Sequence, residues 1–163
     1  MPFTLFHLGP ALVIGLLAND HLDLPALLIS TVFIDVEPLL NMLRSSPIWH
    51  GFLHSFFGAT VFGVFTAIIL LPFKERSYEV MRMFKLEQHS SLKKMLFGSL
   101  IGVYTHVSLD SFLYWDIKPF YPSPENPFYG RASFSTLYLL CMASFILALV
   151  VYNHRAKGNK AKI

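Results

Sequence analysis

Five apolar runs, separated by short polar or basic stretches, set the plan of the chain. The first lies within Met1–Leu17 and is followed by a polar turn at Asn19–Asp23. The second, Leu24–Leu43, is interrupted by Asp35, Glu37 and Pro38. After a turn at Arg44–Trp49 come the third run, Gly51–Leu71, the fourth, Leu92–Trp115, and the fifth, Phe134–Tyr152. Apolar runs of about 17–25 residues have the length of a helix that crosses a bilayer. The pattern therefore predicts an all-α, polytopic membrane bundle of about five membrane helices. The first run is short for a span, so its helix is expected to begin inside the fold with His7 near its start. It has no positive leading segment and no small-residue cleavage site, which predicts a retained helix rather than a signal peptide. Pro38 removes a backbone donor, so the outer part of the second run is expected to be irregular.

Two segments break the apolar rhythm with basic charge. Phe73–Lys94 carries six Lys/Arg against three Glu, and the tail Asn153–Ile163 carries four Lys/Arg and no acid. Tyr78, Met81 and Phe84 recur every third residue in the first of these, the pattern of an interfacial helix lying on the membrane. Short cytoplasmic loops collect Lys and Arg. Both basic segments are therefore placed inside, with the N-terminus outside and the C-terminus cytoplasmic. Asp116–Arg131, rich in proline and aromatics, becomes an outer loop, and Trp49 and Trp115 fall at outer helix ends. Of its residues, Ile117–Phe128 could form a stiff lid, though a connector shaped by its prolines is the simpler reading.

Composition agrees with this plan. Of 163 residues, 54% are hydrophobic and 14% charged, well below the roughly 25% charged residues of soluble domains. The chain is read as a single membrane-embedded domain, 1–163. Cys141 stands alone inside an apolar run, where a small core residue is the expected role. Nothing in the pattern points to nucleic acid; membrane lipid is the expected partner, and oligomeric state is not legible.

The chemistry lies in the polar residues that remain inside the apolar runs. In the fourth run, stepping back by four from Asp110 gives His106, Gly102 and Gly98, which share one helix face. With the predicted orientation, His7, Asp35, His54, His106 and Asp110 come from four different helices to one level near the outer surface, and His50 lies beside them. Histidines and aspartates in this number suit zinc, manganese or iron. A buried polar clasp between helices is the competing reading, and the shared depth of five such residues favours metal. Six ligands could hold two ions bridged by Asp110, or one ion with well-tied outer partners, and Ser55, Ser108 and Ser111 are candidates for those partners. Glu37 could be a ligand, a general base or an interfacial charge. His21, His89 and His154 are expected at the surface.

Three pieces carry a family resemblance: Met1-Pro-Phe-Thr-Leu-Phe-His7, Gly51-Phe-Leu-His54-Ser55 and His106-Val-Ser-Leu-Asp110-Ser111. In this order they resemble the YdjM-like family of membrane-bound metal-dependent hydrolases, over the chain up to about Pro127. The resemblance implies a helical fold distantly similar to zinc-dependent phospholipase C and its nuclease relatives, with clustered zinc and phosphoester cleavage. It carries over His7, Asp35, His54, His106 and Asp110 as ligands. The family typically has His-Arg-Gly-x-Thr-His-Ser, so Trp49 here occupies the first His position and His50 the Arg position. The implied activity is hydrolysis of a phosphoester, in a lipid for instance, at the outer membrane face, with Asp35 or Glu37 accepting a proton from water. A non-enzymatic metal carrier, or a cluster that only fastens helices, is the alternative.

Overall fold

A computed structural model describes residues 4–86 and 88–160; Met1–Phe3 of the N-terminal motif and 161–163 of the tail lie outside it. Seven helices make up the described chain: α1 (Thr4–Leu17), α2 (Leu24–Phe33), α3 (Val36–Leu43), α4 (Phe56–Leu70), α5 (Lys74–Met83), α6 (Leu92–Leu113) and α7 (Phe134–Lys160). There is no strand among the described residues. Leu24–Leu43, Phe56–Met83, Leu92–Leu113 and Phe134–Lys157 are long and apolar enough to cross a membrane, and α1 is a shorter apolar helix. Leu139, Ile146 and Leu149 of α7 lie exposed. In a membrane bundle such side chains face lipid, which is as apolar as they are.

α6 is the axis of the bundle. Its buried face includes Gly98, Gly102, His106 and Asp110, the residues that spacing by four predicts to lie together. The two glycines let α6 approach α2 backbone to backbone. A Cβ at Gly98 would collide with the Asp23 carbonyl, and one at Gly102 with the Leu27 carbonyl and the Ser30 hydroxyl. On its other side α6 meets α4, where Gly63 faces Leu100 and Val103. α1 packs between α2 and α7.

One expected irregularity and three departures from the expected elements have physical causes. The second run breaks at Ile34–Asp35, ahead of Pro38, and Pro38 then sits in the first turn of α3. There its missing N–H costs no intrahelical bond. The third helix starts at Phe56 rather than Gly51, because Ser55 is extended and its hydroxyl caps the Gly58 N–H at 3.0 Å. α5, expected as a separate interfacial helix, continues from α4 through a 3-10 turn at Leu71–Phe73. The fifth helix runs on through most of the basic tail, since Arg and Lys are good helix formers.

Candidate metal centre

The break in the second run positions the centre's first candidate ligand. Asp35 occupies the N-cap of α3 but makes no side-chain capping bond. Its carboxylate turns instead toward two histidines, with Oδ1 3.5 Å from His54 Nε2 and 3.2 Å from His106 Nε2. A continuous helix would point residues 35 and 37 to opposite sides. The break brings Asp35 and Glu37 to the same histidine, His54, which sits in a 3-10 turn at Phe52–His54.

Glu37 fixes that turn. Its carboxylate accepts the backbone N–H groups of Gly51, Leu53 and His54 at 3.1, 3.0 and 3.3 Å, and the His54 Nδ1–H at 3.0 Å. A carboxylate can only accept here, so His54 carries its proton on Nδ1 and presents a lone pair from Nε2. This is the arrangement in which a carboxylate orients a metal-binding histidine.

α6 supplies the opposite wall. His106 Nε2 lies 3.2 Å from Asp110 Oδ2, one turn along the helix, and His7 Nε2 of α1 lies 3.0 Å from Asp110 Oδ1. The His7 and His106 rings stack with centroids 4.3 Å apart. One ligand atom each from Asp35, His54, His106 and Asp110 falls within 4.8 Å of all the others. His54, His106 and Asp110 are wholly buried, while the Asp35 side chain keeps 14% exposure.

The atoms at the middle of this group do not satisfy one another. His54 Nε2, His106 Nε2 and both Asp110 oxygens are buried without a hydrogen bond, although the imidazole–carboxylate distances are only 3.0–3.5 Å. Buried polar groups are nearly always hydrogen-bonded, and exceptions call for a cause. Ligand atoms gathered within 4.8 Å of one another have one: they could hold a divalent cation with nitrogen and oxygen ligands.

The YdjM inner membrane protein family model matches residues 3–163. The chain belongs to this family. No curated protein and no solved structure matches the chain. Membership in the YdjM family makes it a membrane protein, and its chemistry has to be read from the geometry.

The remaining expected residues divide clearly. His50 lies outside the tight group; its ring meets His54 at 4.8 Å and Tyr114 at 4.6 Å. The hydroxyls expected around the ligands have backbone partners: Ser55 donates to the Phe52 carbonyl at 2.7 Å and Ser111 to the Val107 carbonyl at 2.6 Å. Ser108, two residues from both His106 and Asp110, turns to another side of α6 by helical geometry and is half-buried. His21, His89 and His154 are exposed.

Tyr114 and Asp116, just past the end of α6, border the centre without having been singled out in the sequence. Asp116 binds His50 Nδ1 at 2.9 Å. Burial alone would raise its carboxyl, but the His50 hydrogen bond and the backbone N–H groups of Trp49 and His50 hold it at about 2. Burial and the nearby Asp110 carboxylate push the Tyr114 phenol above its usual range, which keeps it a hydrogen-bond donor. No spacing rule could have found Asp116, since an acid just after an interfacial Trp reads as a loop charge. The loop is pinned over the centre, with Ile117 and Pro119 buried and the Pro119 carbonyl accepting the Phe56 N–H at 2.9 Å.

Proposed function

We propose that this YdjM family member is a metal-dependent hydrolase that cleaves a phosphoester at the outer membrane face, with zinc as its first-choice ion and manganese or iron as alternatives. The observation that carries the reading is the group of Asp35, His54, His106 and Asp110. These are two carboxylates and two imidazoles with ligand atoms within 4.8 Å, three of the four side chains wholly buried. A divalent cation held there acidifies water and stabilises charge on a phosphoryl group. His7, against Asp110, completes the ligand wall. Asp35, the ligand carboxylate that stays partly exposed, is the proton acceptor. Glu37 is committed to His54 and three backbone N–H groups, so its part is to orient.

Transport through the bundle fits less well. The α6 face that leads from Asp110 toward the other end is closed at Gly102 and Gly98 by the backbone of α2. The test is elemental analysis of detergent-purified protein beside Asp110→Ala, together with hydrolysis of a phosphodiester or phospholipid. The wild type should hold zinc, manganese or iron and turn over substrate, and the variant should do neither. Equal metal in both would leave a cluster that only fastens helices.

The outer-face placement rests on the basic 73–94 segment and tail, which the positive-inside bias assigns to the cytoplasm. Ser123→Cys in the outer loop should then react with a membrane-impermeant label on intact cells, and a reporter fused after Lys162 should read cytoplasmic. Labelling only after membrane rupture would reverse the orientation.

A further inference from the structure

The loop between α3 and α4 holds two histidines, and both are wired alike. His54 gives its Nδ1–H to Glu37 at 3.0 Å, and His50 gives its Nδ1–H to Asp116 at 2.9 Å. Each carboxylate also grips the backbone beside its histidine. Glu37 accepts the N–H groups of Gly51, Leu53 and His54, and Asp116 Oδ2 accepts those of Trp49 and His50, both at 3.0 Å. In each ring the other nitrogen, Nε2, is buried and has no hydrogen bond. His7 and His106 differ, since no carboxylate holds their Nδ1 atoms, which are buried without a hydrogen bond on the far side of the ring from Asp110.

A carboxylate that fixes tautomer and ring angle is the usual companion of a metal-binding imidazole. Loop geometry alone does not require it at residue 50. The backbone N–H groups of Trp49 and His50 could have been satisfied by water at this half-open edge, yet a carboxylate from 66 residues away serves them and the ring together. The His50 side chain is wholly buried, and its ring edge meets His54 at 4.8 Å. His50 Nε2 is not among the four ligand atoms of the tight group. We infer that His50 is the nitrogen ligand of a second cation position beside the first, and that Asp116 is its positioning residue, in the part Glu37 plays for His54.

This rests on the metal-centre reading above, and its test separates the two. Metal-free protein in detergent is titrated with cobalt(II), following the visible ligand-field bands and the thermal melt. Wild type should take up a second equivalent after the first. His50→Ala should lose that second equivalent and keep the first; Asp116 retains its backbone partners in this variant, so the loop stays clamped. Asp116→Asn keeps an acceptor oxygen for the backbone but loses the charge, and should weaken the second equivalent about 10- to 100-fold. Asp116→Glu should recover part of that loss, which a merely structural role would not predict. Retention of both equivalents in His50→Ala, or loss of both together, overturns the assignment. A wild type that binds no cobalt at all overturns the metal centre itself.

Discussion

Two aspartates stand at successive helix starts and are used in opposite ways. Asp23, at the start of α2, is fully buried, and every oxygen is accounted for. Oδ1 caps the Ala26 N–H at 2.8 Å, while Oδ2 accepts from Ser90 and, at 3.3 Å, from Ser77. Gln88 closes the same cluster by donating to the Leu22 carbonyl at 2.6 Å and accepting the Leu24 N–H at 3.3 Å. Asp35, at the start of α3, forgoes its cap and faces histidines, and Asp110 next to it is buried with both oxygens lacking hydrogen bonds. Both clusters line α6, one against Gly98 and the other two and three turns further along at His106 and Asp110. A cluster that closes its own hydrogen bonds is finished as structure. One that leaves the buried His54 Nε2, His106 Nε2 and both Asp110 oxygens without hydrogen bonds could hold a metal ion.

The sharpest way to break this contrast is Asp110→Ala. It should empty the protein of bound metal in elemental analysis and destabilise it by about 3–5 kcal/mol, the usual cost of removing one member of a buried charged pair. Gly102→Ala lies between the clusters. Its Cβ would press on the Leu27 carbonyl and move α6 off α2, at a cost of about 1–3 kcal/mol in detergent melts. Because His106 rides on the same helix, metal affinity should fall with stability. Asp23→Ala should cost about 1–2 kcal/mol for the lost cap and leave metal content at the wild-type level. An equal metal loss in Asp23→Ala and Asp110→Ala would erase the distinction drawn here. His89→Ala, at an exposed ring stacked on Tyr78, should change stability by less than about 0.5 kcal/mol and metal not at all.

The residues legible in the sequence are those whose partners lie on a regular helix. Spacing by four places Gly98, Gly102, His106 and Asp110 on one face, and they are found there. The antiparallel order of the runs brings His7, Asp35 and His54 to the same end, and the structure gathers them around Asp110 and His106. What escaped the pattern lies in residues 44–55. A helix beginning at Gly51 would set His50 and His54 one turn apart on a shared face. Instead the loop is held by Glu37 from one side and Asp116 from the other, both distant in sequence. Long-range carboxylates leave no periodic trace. Asp23 was hidden for a related reason, since a polar turn in the sequence gives no sign that Ser77 and Ser90 fold over it.

The dispersal of the ligands over four elements bears on how the chain is made. His7 enters the membrane with α1, Asp35 with the broken second run and His54 ahead of α4, whereas His106 and Asp110 arrive only with α6. A membrane-central Asp or Lys costs about 2.5–3.5 kcal/mol on insertion scales, and until α6 is threaded no earlier ligand has its partners. Completion of the centre therefore waits for α6, late in the chain, with only α7 still to follow. A nascent chain halted before Leu92 leaves its acid and imidazoles stranded in lipid, the kind of exposed polarity by which a membrane quality-control protease can recognise an unfinished product.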